Sequence, residues 1–165
     1  MKLVPWRFFR TWECLACGLC CRRYIVSLSR EEALRLMEKY GPWVISIEGG
    51  KYFLRRVNGA CIFQRGNLCG IQDDKPIACR LWPFFILNKP IKARDRLLAE
   101  FNWNDYSFYV YVDPFCRGLN KGSTPIEKAI IEAIKIKIGE QKTQFYTTSK
   151  YILKPSIKKK ESLRI

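Results

Sequence analysis

Trp12-Glu13-Cys14-Leu15-Ala16-Cys17-Gly18-Leu19-Cys20-Cys21-Arg22 is the stretch on which the reading of this chain turns. Cysteines spaced by three let one tight turn aim successive thiolates at a common centre, as in the runs that hold iron-sulfur clusters. Mononuclear zinc sites more often draw on two separated Cys-x2-Cys pairs, and no second pair follows here. Reduced core thiols have no reason to repeat in this pattern, so a metal centre is the stronger reading. Cys20 and Cys21 are neighbours whose side chains point apart in a strand and well apart in a helix, so the two are not expected to share one ion. Either they serve different metals of a polynuclear site or one of them is no ligand.

Outward from this stretch lie a central group, Cys61, Cys69 and Cys79, and a late Cys116, so the candidate metal ligands number eight. The 165 residues include no histidine, which excludes His-liganded zinc, Rieske centres and Ser-His or Cys-His nucleophiles. Any transition-metal site must lean on thiolate or carboxylate. At 48% hydrophobic and 14% aromatic, the chain is one folded domain and not a disordered segment. Met1 to Phe9, broken by Pro5 and Arg7, does not read as an export signal, and runs such as Phe84 to Leu87 are too short to span a bilayer. The expected location is cytoplasmic, without a membrane partner, where thiols stay reduced and clustered cysteines bind metal; the cytosol of hyperthermophiles is the exception.

Ser29 and Glu32 form a capping-box signal for a helix from Arg30 to Tyr40, stopped by Gly41-Pro42. Strands are expected over Tyr24 to Leu28, Trp43 to Ile47, Lys51 to Val57 and Ala60 to Gln64, punctuated by Gly49-Gly50, Asn58-Gly59 and Arg65-Gly66-Asn67. Asp73-Asp74-Lys75-Pro76 opens a short helix carrying Cys79 and ending at Pro83. Phe84 to Leu87 and Tyr106 to Val112 read as strands, and Leu97 to Phe101 fits either state. Thr124-Pro125-Ile126-Glu127 starts a helix to about Ile138, with Ile126, Ile130, Ile134 and Ile138 on one face. The fold class is therefore α+β: a small single domain of short antiparallel strands and a few helices organised around a cysteine-ligated metal centre.

Arginine follows cysteine at Cys21-Arg22, Cys79-Arg80 and Cys116-Arg117. Arg22 and Arg80 are candidates for offsetting the negative charge of several thiolates, against the alternative that a chain with 30 basic residues sets some beside cysteine by chance. Gly118, Lys121 and Gly122 precede a helix start, where free N–H groups favour an anion or an anionic cofactor; a plain flexible approach to the helix is the alternative. Lys and Arg outnumber Asp and Glu by 30 to 15, with the excess spread along the chain. That charge, with 23 aromatic residues, would suit a basic nucleic-acid-binding module with a structural zinc, although strand alternation accounts for many of the aromatics. Nucleic acid is the less favoured partner, and a protein partner is compatible with the same sequence.

The cysteine-rich stretch resembles the opening motif of the YkgJ-type cysteine-cluster family, the CxxCxxCC domain that chelates zinc or iron. Cys61-Ile62-Phe63, Cys69-Gly70-Ile71 and Lys75-Pro76-Ile77-Ala78-Cys79-Arg80-Leu81-Trp82-Pro83-Phe84 are similar to its middle segments, and Cys116-Arg117-Gly118-Leu119-Asn120-Lys121-Gly122 to its late glycine-rich one. Lys75 stands where Arg is usual, Trp82 for Phe, and Gln72 for Tyr. The resemblance implies metal binding at the cysteines, iron-sulfur or zinc, and attaches no reaction; the three x2-spaced cysteines lean toward an iron-sulfur cluster, [4Fe–4S] in type. A flagellin lysine methylase carries a similar cluster, so assistance to a modification enzyme is an analogy at the level of architecture. The expected organisation is a lead over 1–11, the metal-binding domain over 12–122, a helical extension packed on it over 123–153, and a frayed basic tail over 154–165. How the eight cysteines divide between one site and two, and whether the centre is a staple, an electron carrier or part of an enzyme, stays open at this level.

Overall fold

The computed structural model describes residues 2–147. The expected tail over 154–165, including Lys158-Lys159-Lys160, and the end of the 123–153 segment lie outside the described residues. In chain order the elements are β1 (Val4–Pro5), α1 (Leu19–Arg23), β2 (Ser27–Leu28), α2 (Arg30–Tyr40), β3 (Ile45–Glu48), β4 (Lys51–Leu54), β5 (Arg56–Val57) and β6 (Ala60–Cys61). There follow β7 (Gln64–Arg65), β8 (Leu68–Cys69), α3 (Ile77–Leu81), β9 (Phe84–Leu87), α4 (Arg96–Ala99), β10 (Glu100–Trp103), β11 (Tyr106–Val112) and α5 (Ile126–Lys137). All strand pairs are antiparallel, and the α+β class holds.

Alternation in β11 organises the larger sheet. Phe108, Val110 and Val112 enter one core, while Tyr109 and Tyr111 face a smaller layer with Ala99. Tyr109 pairs with both Glu100 and Leu87, and Val112 with both Val4 and Phe84, so β9 lies on one edge of β11 while β10 and β1 share the other. The α5 residues Ile126, Ala129, Ile130, Ala133 and Ile134 close the first core from one side. Ile138, expected on the same face, falls beyond the helix end and is exposed. The expected Thr124 cap is also corrected: the helix starts after Pro125 without a side-chain cap, and the Thr124 carbonyl accepts a hydrogen bond from Trp12 N at 3.1 Å.

The second core lies under α2. Glu32 N donates to Ser29 Oγ at 3.1 Å and Ser29 N to Glu32 Oε2 at 3.0 Å, completing the capping box. Ala33 and Leu36 then pack with Leu28, Ile45 and Leu54 of the β2-β4-β3 sheet and with Val44 just before β3. The longer strands expected here are broken: Pro42–Val44 is a 3-10 turn, Arg55 separates β4 from β5, and Ile62-Phe63 separates β6 from β7. Two small hairpins result, turning at Asn58-Gly59 and Gly66-Asn67. Leu97 to Phe101 resolves into the end of α4 and the start of β10.

Asp74 does not cap α3. Its carboxylate accepts from Lys39 Nζ at 2.6 Å, Tyr40 Oη at 2.5 Å and Arg35 at 3.3 Å, all on α2, while Glu32 Oε1 accepts from the first α3 amide, Ile77 N, at 2.7 Å. The Lys39 ammonium, then the Tyr40 hydroxyl, hold the Asp74 carboxyl below its usual range. A depressed folded pKa gives stability that is complete above the unfolded value of about 3.9 and is lost as pH falls through the folded one. Asp74→Asn should therefore cost about 1–2 kcal/mol at neutral pH, and urea melts at pH 7 and pH 3 should show that deficit shrinking in acid. A deficit as large at pH 3 as at pH 7 would remove the carboxylate from this account.

Candidate metal centre

The cysteine-bearing segments meet where the two cores adjoin. Cys14 and Cys17 lie in the loop before α1, Cys20 and Cys21 on α1, Cys61 on β6, Cys69 on β8, Cys79 on α3 and Cys116 in the turn after β11. All eight are free thiols, and all eight line one cavity of about 80 Å³. Its wall also takes Trp12 from the first core, Val26, Leu54, Phe63 and Ile71 from the second, and the tilted ring pair of Tyr24 and Trp82, whose centroids are 4.8 Å apart.

Local geometry explains how so short a run turns inward. Ala16 and Gly18 adopt φ of +49° and +66°, curling the loop between Cys14 and α1. A Cβ on Gly18 would come within 2.7 Å of Gln64 Nε2 and 3.1 Å of Asn67 Cα, so its absence admits the β7–β8 hairpin and with it Cys69. The divergence expected of Cys20 and Cys21 is corrected: their Sγ atoms lie 4.0 Å apart. Successive helical residues differ by about 100° around the axis, so two neighbours can flank one wall. The separation is near the sulfur–sulfur edge of about 3.8 Å that bonds of about 2.3 Å impose on a tetrahedral metal.

The sulfurs are placed to accept hydrogen bonds. The backbone N–H two residues on donates to Cys14, Cys61, Cys69 and Cys116, from Ala16, Phe63, Ile71 and Gly118 respectively. Trp12 Nε1 adds a bond to Cys116 Sγ at 3.3 Å. Burial nevertheless pushes the thiols of Cys14, Cys61 and Cys69 up, that of Cys79 far up, and that of Cys116 to about 11. The bond between Cys20 and Cys21, in which either thiol can donate, splits the pair: it holds one thiol low, to about 7 for Cys20, and keeps the other protonated. Walls that resist isolated thiolates suit a bound metal, which deprotonates a coordinating thiol outright.

The basic candidates divide. Arg22 donates to the Cys17 carbonyl at 2.6 Å and to Asn67 Oδ1 at 3.4 Å, tying the cysteine loop to the β7–β8 turn. Arg80 holds the carbonyls of Asp73, Lys75 and Lys142 at 2.8–2.9 Å, so its guanidinium braces backbone. A Cβ on Gly118 would lie 2.0 Å from the Glu13 carbonyl oxygen, and one on Gly122 would meet the Glu13 side chain. Both glycines thus let the late loop close against the first cysteine stretch, and the exposed Lys121 continues that turn, its N–H donating to the Gly118 carbonyl at 3.2 Å.

Three contributors escaped sequence reasoning. Arg56 binds the carbonyls of Cys21, Tyr24, Arg22 and Gly59, closing the C-terminal end of α1. Trp12 reaches Cys116 across 104 positions, and its signal was the aromatic residue two places before the first cysteine. Lys75 is only 5% exposed and lines the cavity. Its signal, a basic residue between acid and proline, was hidden among many other lysines.

Among the described residues no three Cys, Asp or Glu side chains gather around one point, while all eight sulfur-bearing residues line the cavity. The donor set fits a thiophilic group in chemistry and in number. No described helix is long and apolar enough to cross a membrane. Residues 13–117, more than half the chain, match the family model described as "CxxCxxCC: Putative zinc- or iron-chelating domain". No curated protein and no solved structure matches.

Proposed function

This chain belongs to the CxxCxxCC family of zinc- or iron-chelating domains, and from that premise we propose that its cavity carries a cysteine-ligated iron-sulfur cluster of the [4Fe–4S] type. The observation that carries the reading is the convergence of all eight sulfurs on one cavity. The x2-spaced run Cys14, Cys17, Cys20 favours an iron-sulfur cluster over a lone zinc. When bound, such a group supplies one-electron transfer. The chain's own part is to exclude water with Trp82, Tyr24 and the two cores, and to direct N–H groups at the sulfurs, which tunes the potential. The role is redox, or accessory to a modification reaction, inside the cytoplasm and with a protein partner.

The burial of Phe108, Tyr109 and Tyr111 weighs against the nucleic-acid module, because these rings pack inside the molecule and offer no face to a base. In protein purified without oxygen, a strong reductant should bleach a broad visible absorption, and generic RNA should bind only weakly at physiological salt. Colourless zinc protein that holds RNA tightly under those conditions would favour the nucleic-acid reading instead.

A further inference from the structure

We infer that Lys75 is the fixed counter-charge of the metal centre, a buried ammonium in the cavity wall that lets the site retain an anionic thiolate complex. The inference rests on the reading of the cavity as a metal centre. Lysine is almost never fully buried unless charge balances it, yet Lys75 is 5% exposed and shares its cavity with eight sulfurs. Lys75 lines the same cavity wall as Cys14 and Cys20 of the first cysteine stretch, Cys69 of β8 and Cys79 of α3. It therefore acts at the meeting point of those segments.

The backbone leaves Lys75 little freedom to swing outward. On one side Asp74 is bound to Lys39, Tyr40 and Arg35 of α2; on the other, Ile77 N is bound to Glu32. Arg80 Nε holds the Lys75 carbonyl itself at 2.8 Å. This bracing also gives Arg80 a place in the account: it acts on the centre through the residue it positions. Four thiolates carry net negative charge whether they surround one zinc or a [4Fe–4S] core, and in an apolar wall that charge is expensive unless a cation lies beside it.

The test uses the full chain purified without oxygen, as wild type and as Lys75→Met, Lys75→Gln and Lys75→Arg. The readouts are metal per chain and the half-time of metal transfer to excess chelator, with circular dichroism to verify folding. Lys75→Met and Lys75→Gln should release metal at least about tenfold faster than wild type, and Lys75→Arg, which keeps the charge, within about threefold of it. A side chain that merely filled space would be replaced by Met without loss. If Lys75→Met does not fold, Lys75→Gln against Lys75→Arg decides on the same terms. Release from Lys75→Gln as slow as from wild type overturns the role of Lys75 and leaves the metal centre standing, whereas wild type that holds no metal in any preparation overturns both.

Discussion

Cys20→Ser is expected to lower the metal content of the purified protein to about a tenth or less of wild type. Cys20 closes the x2-spaced run Cys14, Cys17, Cys20 and stands on α1 in the cavity wall, where it lies against Cys21. It lies 4.0 Å from Cys21, so its loss removes both a ligand and the partner of the Cys21 sulfur. A serine hydroxyl is close in size but is a hard, protonated donor that a soft metal does not hold. Metal analysis and thermal melting of the same preparation check the outcome. Undiminished metal with an unchanged melt would take Cys20 out of the ligand set.

Withdrawing the metal should unfold the protein or lower its melting temperature by about 20 °C or more. Thiolate-bound structural metal contributes an apparent 10–16 kcal/mol, very roughly, to small domains, and for a chain of this length each kcal/mol moves the midpoint by about 2–4 °C. The effect should be large here because the cysteines lie where the two cores adjoin: Cys14 and Cys116 pack on the first, and Cys61, Cys69 and Cys79 on the second. Without metal, these segments keep the apolar contacts of short elements only, two of them two-residue hairpins. Scanning calorimetry before and after chelation gives the answer, and a shift of only a few degrees would mean that the cores hold together unaided.

What could be read from sequence was local. The Ser29–Glu32 box, the Ile126–Ile130–Ile134 face of α5 and the strands Phe84–Leu87 and Tyr106–Val112 depend on residues within a turn or two of each other, and they stand as expected. The short helix α1 was not foreseen, since Leu19–Arg23 has little helical pattern and is held by Gly18 in the left-handed region, by Arg56 and by packing on β6. Thr124 looked like a cap but spends its carbonyl on Trp12, a partner 112 positions away. Spacing marked Cys14, Cys17, Cys20 and Cys21, and the family resemblance added Cys61, Cys69, Cys79 and Cys116; all eight line one cavity. Buried Lys75 could not be found by spacing, because the bonds that brace the backbone around it come from α2, 35 positions away from Asp74, and from Arg80.

The most direct measurement is iron and acid-labile sulfide per chain in protein purified without oxygen. The account predicts both, in matching amounts near four each, held by cysteine and lost together when the cysteines are replaced. Protein that contains no metal under any regime, with its cysteines paired as disulfides, would contradict it.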